Sequence, residues 1–429
     1  MNKILWISSI MLCLSQSIIA NDEIKESNQT RFESLSKLTQ VIGTVEKYYV
    51  DDVKLEEIVN KALKGLMQEL DAHSTYLDRK SSKEMSIQTK GEFGGLGITV
   101  GMRDGALTVI SPIDNTPAYK AGVEAGDIIL KIDNTSTLNM TLDEAVSLMR
   151  GKPKTPIVLT VVRKGENKPL KIDIIRDIIK IESVFAKTIE DEDLLYLRVS
   201  SFDRKVTSEL KKAIRNKPKA KGIILDLRNN PGGLLTQAIG VVDLFVDKGV
   251  IVSQKGRSEA DEEKFNAKSV NTVTTIPVVV LVNGGSASAS EIVSGALQDH
   301  KRAIVVGEKT FGKGSVQAIL PITADRKENI KLTIAKYYLP SGRTIQATGI
   351  TPDVISYAGE AVTEKNSEFK IKEADLKKHL EVELEKDNGV KKDKIEPKNK
   401  KIITKEDILK DNQLNMGLGI LKSLIIVKK

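Results

Sequence analysis

Two stretches of this chain repeat one layout: an aliphatic run, paired glycines, then a helical pattern. The first runs Gly222-Ile223-Ile224-Leu225-Asp226-Leu227-Arg228-Asn229-Asn230-Pro231-Gly232-Gly233, followed by a helical Leu234 to Phe245. The second runs Val278-Val279-Val280-Leu281-Val282, Asn283-Gly284-Gly285, Ser286-Ala287-Ser288-Ala289-Ser290-Glu291, then a helical run to His300. A short β-branched run bounded by glycine reads as a buried strand, the glycines as a tight turn, and the serines as a helix start. Strands alternating with helices of ten or more residues predict an α/β core with a largely parallel sheet.

The serine cluster is also a place for chemistry. Small residues let a substrate backbone approach, and a hydroxyl at a helix N-terminus sits where exposed N–H groups and the helix dipole favour developing negative charge. Taken alone, such a cluster is better explained as capping and close packing. A second segment shifts the balance. Gly307-Glu308-Lys309-Thr310-Phe311-Gly312-Lys313-Gly314-Ser315-Val316-Gln317 follows the strand-like Ala303-Ile304-Val305-Val306 and sets Lys313 between two glycines. A lysine held in an apolar pocket loses its proton more readily and can serve as a base. The chemistry of the residues does not choose among Ser286, Ser288 and Ser290.

Asn283 to Glu291 and Thr310 to Gln317 resemble the two active-site motifs of the C-terminal processing peptidases, or tail-specific proteases. These are PDZ-containing serine endopeptidases with a Ser/Lys dyad, and the resemblance covers roughly Ala62 to Pro352. It implies Ser288 as nucleophile, Lys313 as general base 25 positions later, and Gln317 as the residue that orients the lysine. It implies an oxyanion hole built from the backbone N–H of Gly232 or Gly233 and that of Ala289; such donors contribute about 3 kcal/mol each in acyl transfer. The fold it implies is an α/β spiral of ββα units, like crotonases and caseinolytic proteases, with an inserted PDZ domain and helical N- and C-terminal regions.

The three histidines offer no rival triad. His300 lies twelve residues beyond Ser288 on the same helix, about 18 Å away. His73 falls in Leu70-Asp71-Ala72-His73-Ser74-Thr75-Tyr76-Leu77, which is similar to another motif of the family, where proline is usual in place of Ala72; it reads as structural. His379 reads as a surface residue. No His, Cys, Asp and Glu cluster has metal-ligand spacing, so neither metal nor cofactor is expected.

A formal charge of +8 raises the question of nucleic acid, but six lysines lie in Lys391 to Lys401 against Asp393 and Glu396, and aromatic residues are 4%. A solvated tail without interleaved aromatics is not a nucleic-acid surface. At the other end, residues 1–20 read as a signal peptide: Asn2-Lys3, an apolar Ile4 to Leu14, and Ile18-Ile19-Ala20 as cleavage site. The apolar core is too short for a standard span. Cys13, the chain's one cysteine, lies inside it, so the mature protein is expected to be cysteine-free, which suits an oxidising compartment.

Residues 21–90 read as an N-terminal helical region, with Phe32, Leu35, Leu38, Val41, Ile42 and Val45 repeating at three and four. Having no large domain of its own, this region packs on a neighbour or pairs with another subunit. Residues 91–177 resemble a PDZ domain. Gly94-Gly95-Leu96-Gly97-Ile98 is similar to the loop that captures a C-terminal carboxylate. Thr116 with Pro117 reads as a helix cap, and Thr141 with Glu144 as a capping box for a helix whose Leu142, Ala145, Val146 and Met149 share a face. Gly95, Leu96, Gly97, Ile98, Ala145, Val146 and Met149 are the candidate tail-binding residues. Residues 178–358 form the expected protease core, in which Tyr337 to Ile345 resembles a strand-turn near the substrate cleft. Residues 359–429 form a Lys/Glu-rich region ending in a helix with Leu414, Leu418, Leu421 and Leu424 on one side.

The expected protein is an exported serine endopeptidase, in the periplasm of a Gram-negative cell, associated with the inner membrane if its leader is retained. Its partners would be proteins with exposed apolar C-termini, another copy through the N-terminal helices, and an adaptor, but not nucleic acid. Tail binding at the PDZ domain would shift it between resting and active arrangements. The alternative is a catalytically silent PDZ scaffold that binds tails; the joint presence of Ser288, Lys313 and Gln317 argues against it.

Overall fold

A computed structural model describes residues 29–361 and 401–427, apart from 104, 114, 259 and 260. The leader with Cys13, His379 and all but the last residue of the lysine-rich segment lie outside the described residues. The described residues fall into two compact units. One comprises residues up to Ser82 with Gln317–Thr333; the other comprises Lys83–Val316 and Ile334 onward.

In the first unit, residues 29–48 and Leu55–Gln68 are helices. The apolar repeat of the first helix faces solvent: Phe32, Leu35, Leu38, Val41 and Val45 are all exposed. The wholly helical reading of 21–90 is corrected at Thr75–Leu77, a strand antiparallel to Asn329–Lys331. Asp71 causes the break. Its carboxylate accepts from the N–H of His73 and Ser74 at 2.7 and 2.9 Å, and from Ser74 Oγ at 2.7 Å. This is an Asx-type turn, which competes with continued helix.

The second unit contains a seven-stranded sheet in the order Val354–Ile355, Ile304–Gly307, Val278–Val282, Gly222–Asp226, Leu194–Val199, Val184–Ile189, Ile402–Ile403. Every neighbouring pair is parallel except Leu194–Val199 with Val184–Ile189. The central strands Gly222–Asp226 and Val278–Val282 are buried throughout, which is why they read as unbroken aliphatic runs. Ile223, Leu225, Val278 and Val280 join the core beneath the helices Val206–Arg215, Leu235–Asp243 and Ala289–Asp299. Ile224, Val279 and Leu281 join a second core under the C-terminal helix Asn412–Val427, which buries Leu414, Leu418 and Leu421 there. The expected terminal helix is therefore present, and it covers one face of the seven-stranded sheet instead of ending a detached tail.

A separate antiparallel sheet runs Ile98–Arg103, Ala106–Pro112, Ile128–Ile132, Pro156–Val162, Leu170–Ile175, around its own core of Leu107, Ile129, Leu159 and Val161. The Thr141–Glu144 capping box is formed. Thr116 is the N-cap of the short helix Pro117–Lys120, with Pro117 at its start, but its hydroxyl makes no cap bond and donates to the carbonyls of Gly97 and Ile113.

Candidate active site

Parallel neighbours end side by side, and the loops beyond their C-terminal ends converge. Gly222–Asp226, Val278–Val282 and Ile304–Gly307 are such neighbours. They lead respectively into the Asn229–Gly233 turn, the serine turn and the lysine loop. The sheet topology thus assembles three segments that are far apart in sequence.

Of the three serines, two have hydroxyls engaged in holding the turns together. Ser286 Oγ donates to Leu227 O at 2.8 Å and accepts from Asn283 N–H at 3.0 Å; Ser290 Oγ donates to Asn230 O at 2.8 Å. Both residues are fully buried, while Ser288 keeps 8% of its surface open. Ser288 is the N-cap of Ala289–Asp299 with φ +54° and ψ −110°, a sparsely populated conformation for a residue with a Cβ. Such strain at a strand-to-helix turn holds a side chain out from the backbone.

Glu291, quoted within the serine motif but given no role there, organises the site. Fully buried, its carboxylate accepts four hydrogen bonds. Oε2 takes the N–H of Ser288 at 2.8 Å and of Lys313 at 2.9 Å; Oε1 takes the N–H of Gly312 at 2.7 Å and the hydroxyl of Thr310. One oxygen therefore ties the backbone of the candidate nucleophile to that of the candidate base. A signal was available: a glutamate three residues into a helix is a capping-box position, yet it is followed here by Ile292 and Val293, where water is absent. The lysine loop is held again from behind, with Gly314 N–H on Gln346 Oε1 at 2.9 Å and Gly314 O accepting from Tyr337 N–H at 2.7 Å. Lys313 itself is half-buried.

The two glycine candidates for the oxyanion hole differ. Gly232 donates its N–H to Asn230 Oδ1 at 2.9 Å, while no described residue accepts from the N–H of Gly233 or of Ala289. Gly232 instead provides room. At φ +105° it borders the serine turn so closely that a Cβ there would stand 3.0 Å from both Ser288 Cβ and Ala289 N. Asn230 pins the two turns together: its carbonyl accepts from Ala287 N–H and Ser290 Oγ, and its Nδ2 donates to Val199 O. Gln317 belongs to the first unit, where Nε2 donates to Thr333 Oγ1 at 3.3 Å, and that hydroxyl donates to Asp71 at 3.2 Å.

The candidate tail-binding set divides. Leu96, Ala145 and Met149 are 2%, 1% and 5% exposed and belong to the core of the antiparallel sheet domain, which corrects their reading as groove residues. Ile98 and Val146 are half-buried. Gly97, at φ +77°, lies against Thr116, which a Cβ would strike at 2.3 Å. His300 closes the far end of its helix with its ring on Val250 O at 2.7 Å.

Residues 193–356 match the model of peptidase family S41, residues 108–163 a PDZ domain, and residues 5–81 the model described as the activating protease CtpB N-terminal domain. A carboxy-terminal-processing protease of Bartonella bacilliformis is 44% identical over 390 residues, covering 90% of this chain and 88% of its own. The carboxy-terminal processing protease CtpA of Bacillus subtilis is 37% identical over 341 residues, 79% of this chain and 72% of its own. Among solved structures, a photosystem II D1 C-terminal processing protease is similar at 26% identity, with a TM-score of 0.43, covering 74% of this chain and 92% of that one. This chain belongs to the carboxy-terminal processing proteases of peptidase family S41.

Proposed function

We propose that the protein is an exported serine-type endopeptidase that takes protein C-terminal tails at its PDZ domain and cleaves them at Ser288. Ser288 Oγ attacks the scissile carbonyl while the neutral Lys313 amine takes its proton. The N–H groups of Gly233 and Ala289 hold the oxyanion. Collapse of the tetrahedral intermediate expels the amine, which takes the proton back from Lys313. Lys313 then activates the water that releases the acyl group. Gln317 orients the lysine.

The observation that carries this reading is the single Glu291 oxygen shared by the backbones of Ser288 and Lys313. A tail-binding scaffold has no use for a buried carboxylate joining these two loops. The exposed stripe from Phe32 to Val45 supports pairing with a second copy through the N-terminal helices. Among the described residues no helix is long and apolar enough to cross a membrane; the periplasmic placement rests on the leader, and an adaptor remains part of the proposal.

The test is turnover of a tail-bearing substrate by Ser288→Ala, Lys313→Ala and the double variant. Each is expected to fold and to be inactive, the double no worse than either single, because a catalytic unit is non-additive. Gln317→Ala is expected to lose less. Substantial cleavage by Ser288→Ala removes the mechanism, and a parent protein that binds tails but cleaves none leaves the scaffold reading.

A further inference from the structure

The Asn229–Gly233 turn is held on one side by the serine turn and on the other by Arg228, and Arg228 is gripped by a residue from the far end of the chain. Its guanidinium makes a paired contact with Asp411, Nη1 to Oδ1 and Nη2 to Oδ2, both at 2.8 Å. The same guanidinium reaches Asp226, with Nε to Oδ1 at 3.0 Å and Nη2 to Oδ2 at 2.6 Å, and Gln413 Oε1 at 3.1 Å. Asp226 is fully buried, takes the Tyr196 hydroxyl at 2.7 Å, and faces Arg198 at 3.7 Å. Asp411 also accepts the N–H of Leu414 at 3.0 Å, at the entry to the C-terminal helix. That helix lies beneath the strands Gly222–Asp226 and Val278–Val282, whose ends carry the oxyanion and serine turns.

We propose that Asp411 is a positioning residue for the oxyanion turn, acting through Arg228, so that the segment from Lys401 to Val427 is a clasp on the protease core. A planar guanidinium gripped by carboxylates on two edges has one orientation, and the backbone at Arg228 is fixed with it. Arg228 is followed at once by Asn229, at φ +55° with its N–H on Asn283 Oδ1 at 2.8 Å, and then by Asn230 and the two glycines. Removing one carboxylate leaves the guanidinium able to rotate about Asp226. The N–H of Gly233 then loses its fixed distance from Ala289. Burial works against the charge on Arg228, but its bonds to Asp226 and Asp411 prevail and hold it more firmly protonated than free arginine.

This inference rests on the serine-protease reading for its kinetic consequence but not for its structural one, and the experiment separates them. In Asp411→Asn, amide exchange at Asn229, Asn230 and Gly232, whose N–H groups are hydrogen-bonded in the turn, is expected to speed up about tenfold, while the strand Pro156–Val162 is unchanged. With a tail peptide, kcat is expected to fall on the order of tenfold with KM within about twofold, because oxyanion donors act in the transition state. Arg228→Lys keeps the helix cap and the charge but not the paired contact. It is expected to loosen the same amides, which keeps the proposal open to refutation if Asp411→Asn does not fold. Unchanged exchange at Asn229, Asn230 and Gly232 in either folded variant overturns the clasp. Loosened amides in the variants, with a parent protein that cleaves nothing, would instead count against the serine-protease reading alone.

Discussion

At the scale of single residues, Glu291 concentrates more of the site than Ser288 or Lys313 does. Both of its oxygens accept two donors, so in Glu291→Gln the amide NH2, whichever way it lies, faces two donors that then lack a partner. Each unmet buried group costs about 1–3 kcal/mol. The expected outcome is a lower Tm together with a loss of about a hundredfold in kcat, since a shift of the order of 1 Å between reacting groups costs that much. A variant that melts early but turns over normally at low temperature would show that Glu291 only stabilises. Asp71 gives a prediction in pH. Desolvation pushes its carboxyl up, but the bonds from Ser74, His73 and Thr333 outweigh it and bring it down to about 2, below its usual value near 3.8. A folded-state pKa below the unfolded one means stability that is present above about pH 4 and lost as pH falls toward 2. Asp71→Asn is expected to lower Tm at pH 7, and its gap from the parent is expected to close by about pH 2. A gap that persists at pH 2 would assign the effect to packing. Residue chemistry alone could not separate Ser288 from Ser286 and Ser290. The difference lies in Leu227 and Asn230, which occupy the other two hydroxyls from the turn after Gly222–Asp226.

At the scale of elements, the strand, Gly-Gly turn and helix units were legible because burial on both faces leaves an aliphatic run that nothing else imitates. Facing was less legible. Leu142, Ala145, Val146 and Met149 repeat at helical spacing, and that spacing cannot tell a groove wall from a core; the fold gives Ala145 and Met149 to the core. The division of labour between Gly232 and Gly233 was hidden for another reason: it depends on Asn230 Oδ1, a side chain two residues back. That division is testable. In Gly232→Ala the new Cβ meets Ala287 O at 2.9 Å, Ala289 N at 3.0 Å and Ser288 Cβ at 3.0 Å, at φ +105° where L-residues are strained. Backbone atoms on both sides cannot retreat as a flexible side chain would. We expect proteolysis to fall by at least about a hundredfold, with loss of labelling by a small serine-directed reagent, since the space lost lies at the nucleophile. Normal labelling with lost proteolysis would place the obstruction on the substrate path instead of at Ser288.

At the scale of the whole molecule, the resemblance ran from Ala62 to Pro352, and the Lys/Glu-rich stretch after it hid the fact that Ile402–Ile403 adds a strand to the protease sheet and Asn412–Val427 covers its second face. Composition reports what a spacer is like, not what lies beyond it. The two compact units and the PDZ-like sheet pose the remaining question, which is whether recognition of the tail and cleavage are one event. A PDZ domain holds a C-terminal carboxylate with backbone N–H groups of a loop and lays the last side chain beside the adjoining strand and helix; the proposal gives these parts to the Gly95 to Ile98 loop and to Ile98 with Val146. If tail binding favours an active arrangement, it does so only by the difference in its affinity for the two arrangements. Amidating the substrate's C-terminus removes the charge without touching the scissile bond, and changing its last apolar residue to Asp removes the apolar contact. Either change is expected to reduce kcat/KM at least about tenfold. Adding the free tail as a separate peptide is expected to restore part of the cleavage of the amidated substrate if binding activates, and to leave it unrestored if the PDZ domain merely tethers. Equal cleavage of free and amidated substrates would leave the PDZ domain without a part in selecting the tail, and the enzyme would then choose its bond at the Ser288 cleft alone.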